Sequence, residues 1–512
     1  MLVAPASAPL LEAILEPGPG GGSVALQAGD EAVTYAELRR SVADLAEALG
    51  RAGVRPGDRV ALALPKSIVA AEAILAVLAI GAVYVPLNTR QPTIRLRAIL
   101  DDLEPALIVT TREIGRALHA QWGPGGGFPV AMFGALGLDI AKAAARPAAA
   151  AECEGLATVL YTSGSTGEPK GIMLSHANIA SFVDWAAETF AIGPDDRLAS
   201  NAPFHFDLSV FDLFCGLARH ATVHLFDEDA ARFPGQVRAW IDAACVTVWY
   251  SVPTALARLQ QRRALRGAGS LRLVLFAGEV FPVPALRQLM ADLPQPEYVN
   301  LYGPTETNVC TYYRLPGPPS SDTETLPIGR ACEHLSVSLR DPALREVAAG
   351  DIGEICIEGS AVMRGYWRRP EMTAASRLPG REKSYRTGDY GWRRGDGEIM
   401  FAGRRDDQVK IRGQRIELLA LEAVLNAHPE VGEAAALAFP DDTGGRLAAF
   451  LVPRRGVLPE AEIRSFVAQR LPACYQPDRF DWVAELPRTA TGKCDRAILL
   501  SSLGLSPQQA DR

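Results

Sequence analysis

Eight cysteines are scattered through 512 residues with no two close together. That spacing excludes a cysteine metal framework and a disulfide scaffold, and it leaves reduced, cytosolic thiols as the expectation. Excess positive charge is also lacking. Mixed signs sum to a formal −7, so neither nucleic acid nor an anionic membrane is expected as a partner. The N-terminus has no basic start and carries Glu12 and Glu16 inside its apolar stretch, which argues against a secretory leader. The longest apolar run, Ile68 to Leu87, is cut by Glu72, Gly81 and Pro86. It suits a buried helix followed by a strand better than a membrane span. What remains is ordinary globular material, 48% apolar and 22% charged, long enough for two or more cores.

Periodicity organises the first part of the chain. Thr34 with Glu37 three residues on marks a helix start, Leu38, Val42, Leu45 and Leu49 share one face, and Gly50 and Gly53 are expected to end the helix. Arg59 to Leu64 reads as a strand, Ile68 to Ile80 as a helix and Ala82 to Leu87 as a strand, with further alternation through Ile108 to Thr110. Such alternation predicts an α/β fold of parallel sheets flanked by helices. Gly123 to Pro129 and the alanine-rich Ala141 to Ala151 read as surface connections. Near Gly403 the character changes, and residues 406–512 read as a small C-terminal α+β domain after a large domain of residues 1–405. The junction GRRDDQVKIRGQRIEL, Gly403 to Leu418, is dense in charge and is therefore expected to be exposed and to hold a hinge.

Leu160 to Gly171 reads LYTSGSTGEPKG. A buried strand over Thr158 to Tyr161 is expected to empty into a loop that holds phosphate. Glycines turn backbone N–H groups toward an anion, Thr162, Ser163, Ser165 and Thr166 offer hydroxyls, and Lys170 offers charge. Glu168 and Pro169 interrupt the Gly-Lys pair of a Walker A loop, so a plain P-loop kinase or ATPase is disfavoured. The loop resembles that of the adenylate-forming superfamily, which includes acyl-CoA synthetases, luciferases and the adenylation domains of nonribosomal peptide synthetases. The resemblance runs from about residue 30 to 500. It implies ATP binding at Thr162, Ser163, Gly164, Ser165, Thr166, Gly167 and Lys170.

Further motifs follow in that family's order. In NLYGPTE, Asn300 to Glu306, the resemblance implies that Tyr302 stacks on adenine, Thr305 meets the α-phosphate and Glu306 holds Mg²⁺, with Asn300 and Gly303 beside the nucleotide. An aromatic plane suits a base and a hard oxygen suits magnesium. Ala277, Gly278 and Glu279 resemble the backbone contacts to the purine. YRTGD, ending at Asp389, resembles the ribose-binding turn, with Arg404 joining it and Asp406 as the hinge. LPRTATGKCDR presents Lys493 where the family keeps a lysine for the substrate carboxylate and α-phosphate. Lys493, Thr305 and Glu306 are thus the expected catalytic residues.

The acid to be activated is suggested by PFHFDLSVFDLF, Pro203 to Phe214. Helical spacing of Phe206, Val210 and Phe214 would make Asp207 a helix cap. In the amino-acid-activating branch the matching aspartate instead binds the substrate ammonium, and a buried carboxylate needs such a partner. Motif by motif, the resemblance places the side-chain pocket at Asp207, Leu208, Phe211, Tyr250, Leu275, Ala277, Leu301, Val309 and Cys310. Period-2 alternation puts Val246, Val248 and Tyr250 on one strand face and Leu275 and Ala277 on another. The set has no acid, base or amide at its end. It is similar to that of stand-alone L-proline-activating enzymes that load a carrier protein, with Phe211 in place of an expected leucine.

The expectation is therefore a free-standing adenylation enzyme of secondary metabolism that forms prolyl-AMP from proline and MgATP. It would pass the prolyl group to a phosphopantetheine thiol on a separate carrier protein, because the short tail after Lys493 with Ser506 has no carrier pattern. Two rivals are an acyl-CoA synthetase acting on a non-amino acid and a catalytically silent nucleotide-binding scaffold.

Overall fold

Thr34 starts its helix as its sequence indicates. Its hydroxyl accepts from Glu37 N at 3.3 Å while Glu37 Oε2 accepts from Thr34 N at 2.9 Å, a reciprocal box that satisfies two orphan donors. The helix spans Tyr35–Arg51, so Gly50 lies inside it and only Gly53, at φ +91°, carries the chain away. In this computed structural model the described residues are 9–16, 22–123, 127–134, 137–140, 153–163, 169–226, 233–323, 325–404, 408–439, 441, 445–488 and 494–505.

Among the described residues the strands form a nine-stranded sheet, an eight-stranded sheet, a four-stranded sheet, a hairpin and a three-stranded sheet. The interior of each large sheet is parallel and its edges are antiparallel, as the alternation of strands and helices requires. Ile68–Ala79 is the long apolar run, and it is a helix buried almost all round. A helix without a polar face belongs inside a core, and this one packs on strands of both large sheets. Among the described residues no helix is long and apolar enough to cross a membrane. Two strands, Val130–Gly134 and Gly137–Ile140, lie between the two stretches read as surface connections and extend the eight-stranded sheet.

Downstream of residue 408 the order is a hairpin (Gln408–Ile411 and Gln414–Glu417), helix Leu418–Asn426, strands Val431–Phe439 and Arg446–Pro453, helix Glu460–Ala468, strand Arg479–Trp482 and helix Arg496–Ser502. Ile411, Ile416, Leu421, Leu447 and Ile463 share one core there, and Leu437, Phe450, Leu486 and Leu499 share another across the sheet. The fold is α/β, with large mainly parallel sheets flanked by helices and a smaller α+β part at the C-terminal end.

A lysine ties the two large sheets together beside the segment that carries Asp207. Lys66 follows the strand Arg59–Ala63 of the eight-stranded sheet and donates to the carbonyls of Ser200 and Ala202, the latter at 2.8 Å, beyond the end of a strand of the nine-stranded sheet. It also lies near Asp212, which is fully buried with one carboxylate oxygen unpartnered. Burial pushes the Asp212 carboxyl up to about 8 although Lys66 pulls it down. A raised carboxyl loses stability as pH rises through the folded value. Lys66→Met should destabilise the protein by about 1–3 kcal/mol, because it takes the charged donor from the Ser200 and Ala202 carbonyls. The deficit should grow above pH 8 in denaturant titrations.

Candidate active site

Strand Leu156–Ser163 pairs antiparallel with Pro169–Ser175, placing Thr162 opposite Lys170 and Ser163 opposite Pro169. Lys170 therefore stands on a strand rather than in the loop, because the ladder continues through Pro169 at a strand start, where a missing N–H is tolerated. The loop proper, residues 164–168, lies outside the described residues, and so do Gly164, Ser165, Thr166, Gly167, Asp406 and Lys493. The Thr162 hydroxyl is buried and has no hydrogen-bond partner among the described residues. Such an orphan is a donor left for a ligand or water.

Beyond strand Glu297–Tyr302 the chain turns so tightly that a Cβ on Gly303 would lie 1.7 Å from the Asn308 carbonyl oxygen. This turn delivers Thr305 and Glu306. Glu306 has no exposed surface; its carboxylate meets Lys170 Nζ at 3.3 Å, accepts from the Tyr366 hydroxyl at 2.8 Å, and meets Arg415 Nη1 at 3.2 and 3.1 Å. Burial would raise its pKa, but Arg415 and Lys170 outweigh burial and hold the carboxyl far below the usual range. For Lys170 burial wins over Glu306 and lowers the pKa.

Arg415 arrives on the hairpin from the C-terminal part. Arg412 and Gly413 sit at its tip with φ +51° and +75°, the left-handed pair that a two-residue hairpin turn prefers. The Gly413 N–H donates to Glu279 Oε1, and a Cβ there would lie 2.5 Å from Val252 Cγ1. Among the described charges of this junction, expected to be exposed, Arg404, Lys410, Arg415 and Glu417 are turned inward and Arg412 is exposed. Arg415 keeps 16% of its side-chain surface, and Lys410 sits among Asp389, Asp207 and Arg404, its pKa lowered first by burial. Buried carboxylates across the gap explain the inversion, since such groups persist only when paired.

The residues assigned to adenine and ribose also converge. Asp389 is buried and accepts from the Tyr302 hydroxyl at 2.5 Å, while Arg404 Nη1 reaches its other oxygen at 2.6 Å. It lies within strand Ser384–Arg393, not in a turn, and Gly388 at φ +71° bends that strand. Ala277 ends strand Leu273–Ala277 as expected, with Gly278 next at φ +97°. The Glu279 carboxylate accepts from Thr254 N at 3.0 Å and Thr254 Oγ1 at 2.6 Å. The Asn300 amide donates to the Pro327 carbonyl at 2.8 Å. Strand alternation puts it on the same face as Tyr302 and opposite Leu301, so it pins a neighbouring segment beside the residue assigned to adenine.

Asp207 does not cap its helix. It precedes Leu208–Val210 with helical φ −62° and no side-chain cap bond, and its Oδ2 accepts from the Thr305 hydroxyl at 2.5 Å. The carboxylate lies deep in the protein yet keeps part of its surface accessible, and burial raises its pKa against Thr305 and Lys410. Leu208, Phe211, Tyr250, Leu275, Ala277, Leu301, Val309 and Cys310 all fall in one apolar cluster. Val246 falls in a different core with Trp249, which corrects its placement beside Val248 and Tyr250. Phe211 begins a π-helical turn, Phe211–Cys215, a form that recurs at functional sites.

Sequence reasoning named neither Lys410, Arg415 and Tyr366 nor Lys66. A hairpin signal was available in QVKIRGQRIE, where alternating residues flank Arg412–Gly413, but the direction in which it packs was not.

The family described as AMP-binding enzyme matches residues 18–367, and the AMP-binding enzyme C-terminal domain matches residues 420–493. The chain is 37% identical over 483 residues to an L-proline–(L-prolyl-carrier protein) ligase of Pseudomonas fluorescens, covering 92% of this chain and 94% of that protein. It is 38% identical to a ligase of the same name from Streptomyces coelicolor, with 91% of each covered. Among solved structures, that of IdnL1 superposes with a TM-score of 0.82 at 30% identity, covering 94% of this chain and 99% of that one.

Glu306→Gln leaves Lys170 and Arg415 without their shared anion and should cost about 3–5 kcal/mol, the usual penalty for breaking a buried pair. The depressed carboxyl contributes stability above its unfolded pKa and loses it as pH falls through the folded value. The difference between the two proteins should therefore shrink on acidification in denaturation curves.

Proposed function

The chain belongs to the AMP-binding enzyme family, and on that premise we propose that it activates L-proline with ATP and transfers the prolyl group to the phosphopantetheine thiol of a separate carrier protein. The observation that carries this reading is Asp207, a deep carboxylate beside Thr305 that caps nothing and borders an apolar cluster. The two named proline ligases, similar over nearly their whole length, support the same substrate.

In the proposed first half-reaction, Asp207 binds the substrate ammonium, and the cluster from Leu208 to Cys310 takes a small apolar side chain. The ammonium offsets the desolvation that raises the Asp207 pKa. Tyr302 and the backbone of Ala277, Gly278 and Glu279 hold adenine, and Asp389 with Arg404 holds ribose. Thr162, Ser163, the loop 164–167 and Lys170 hold phosphate. The substrate carboxylate attacks the α-phosphate, pyrophosphate leaves, and Thr305 and Lys493 offset the charge gathered in the transition state. Glu306 fits magnesium: it is a hard, fully buried carboxylate next to the phosphate residues, and a bound Mg²⁺ would neutralise phosphate charge there.

For the second half-reaction we propose that residues 406–512 turn about Asp406. That motion exchanges Lys493 for the hairpin of Lys410 and Arg415 and opens room for the thiol. The hairpin contacts to Glu306 and Glu279 support such a state.

Amino-acid-dependent pyrophosphate exchange over the proteinogenic set plus pipecolate tests the substrate. Proline should give the fastest exchange, and exchange only with acids that lack an amine would overturn the reading. Asp207→Asn should lose proline-dependent exchange by on the order of hundreds-fold, as removal of one pre-placed charge does, while ATP binding persists. Lys493→Ala should lose adenylate formation yet keep measurable transfer from supplied prolyl adenylate to the carrier. Equal loss of both steps would show that the lysine has another role.

A further inference from the structure

Phe211 is held by more than the pocket it was assigned to. Its ring meets Tyr250 edge-on at 5.4 Å and 83°, and it meets Phe190 at 6.3 Å and 73°. Phe190 is not among the pocket residues. It closes helix His176–Thr189, is buried to 3% exposure, and is itself braced edge-on by Trp185 at 5.6 Å, with the Arg314 guanidinium 5.6 Å from its centroid. Its backbone is fixed as well. The Phe190 carbonyl accepts from Arg272 Nη1 and Nη2, both at 3.2 Å, and Arg272 is locked to Asp196 at 2.8 and 2.7 Å.

From this geometry we propose that Phe190 is a specificity-determining positioning residue, a backstop that holds the Phe211 ring toward Tyr250 and so limits the depth of the amino-acid pocket. The proposal rests on the reading of Asp207 and Phe211 as lining that pocket. A close-packed interior lets a ring swing only into space that a neighbour vacates. Removing the Phe190 ring vacates space beside Phe211 into which that ring can move. Edge-to-face pairs of this kind favour one ring position over another beyond their area burial. The arrangement also accounts for a phenylalanine at position 211: with its ring held back on one side by Phe190, it can serve as a fixed wall.

Discrimination between proline and pipecolate, one methylene larger, is the sensitive readout, because a single methylene in an apolar pocket is worth about 10–200-fold. Phe190→Leu should raise the pipecolate-to-proline ratio of kcat/KM in pyrophosphate exchange by about tenfold. Phe190→Met, which keeps more volume, serves if the leucine variant fails to fold. Phe281→Leu removes an equally buried ring that packs edge-on against Phe276 in the other core; it should leave the ratio unchanged, which separates pocket shaping from general loosening. In a Phe211→Leu background the Phe190 substitution should no longer move the ratio, since the ring it positions is gone. An unchanged ratio in folded Phe190→Leu or Phe190→Met, or an equal change in Phe281→Leu, overturns the proposal. Wild-type exchange with a different amino acid overturns the proline assignment instead, and the ratio is then read between that amino acid and its next larger homologue. Exchange with no amino acid at all overturns both.

Discussion

A carboxylate with no access to water, flanked by Lys170 and Arg415, organises the centre of this protein. Desolvating Glu306 is costly, and the cost is offset only because cations approach it from two sides. Lys170 comes from the eight-stranded sheet, Glu306 follows a strand of the nine-stranded sheet, and Arg415 belongs to the C-terminal hairpin. One ion cluster thus depends on three parts of the fold being in place. The same cluster lies where a nucleotide's phosphates are proposed to bind, so the charges that close the structure are the charges the chemistry would use.

The balance of signs extends outward from that centre. Asp389 faces Arg404, and Lys410 stands near both Asp389 and Asp207. Hairpin cations and core carboxylates neutralise one another at close range. In the proposed cycle a substrate ammonium and a catalytic lysine would take over part of this work as the hairpin withdraws. That exchange requires the C-terminal part to be held by polar contacts, and Glu306, Glu279 and Asp389 supply them.

Apolar specificity has a separate origin. Alternate residues of the central parallel strands feed opposite cores: Leu273, Leu275 and Ala277 go to one side, Val274 and Phe276 to the other. The first side carries the pocket residues, with Phe211 on its π-helical turn and Phe190 behind it. Lys66 and Asp212 lie close by, so the segment leading to Asp207 is tied to both large sheets.

Much of this was legible from local pattern alone. Period-2 and period-3.6 spacing located the strands and helices, the Thr34–Glu37 box placed a helix start to the residue, and short motifs named Lys170, Glu306, Asp389 and Asp207 before any distance was known. Spacing could not say which way a charged segment faces. The junction after Gly403 reads as solvent-exposed by composition, yet its Arg415 is drawn inward by one carboxylate, Glu306, that lies more than a hundred residues earlier in the chain. Asn300 belongs to a nucleotide motif in sequence, and only the fold shows that its amide reaches the Pro327 carbonyl. The sequence by itself determined the inventory of elements and of reactive groups, because those depend on neighbours a few residues apart. Which groups pair, which ring braces which, and which charges are hidden were decided by tertiary packing, since the desolvation that sets their energies arises only when distant segments meet.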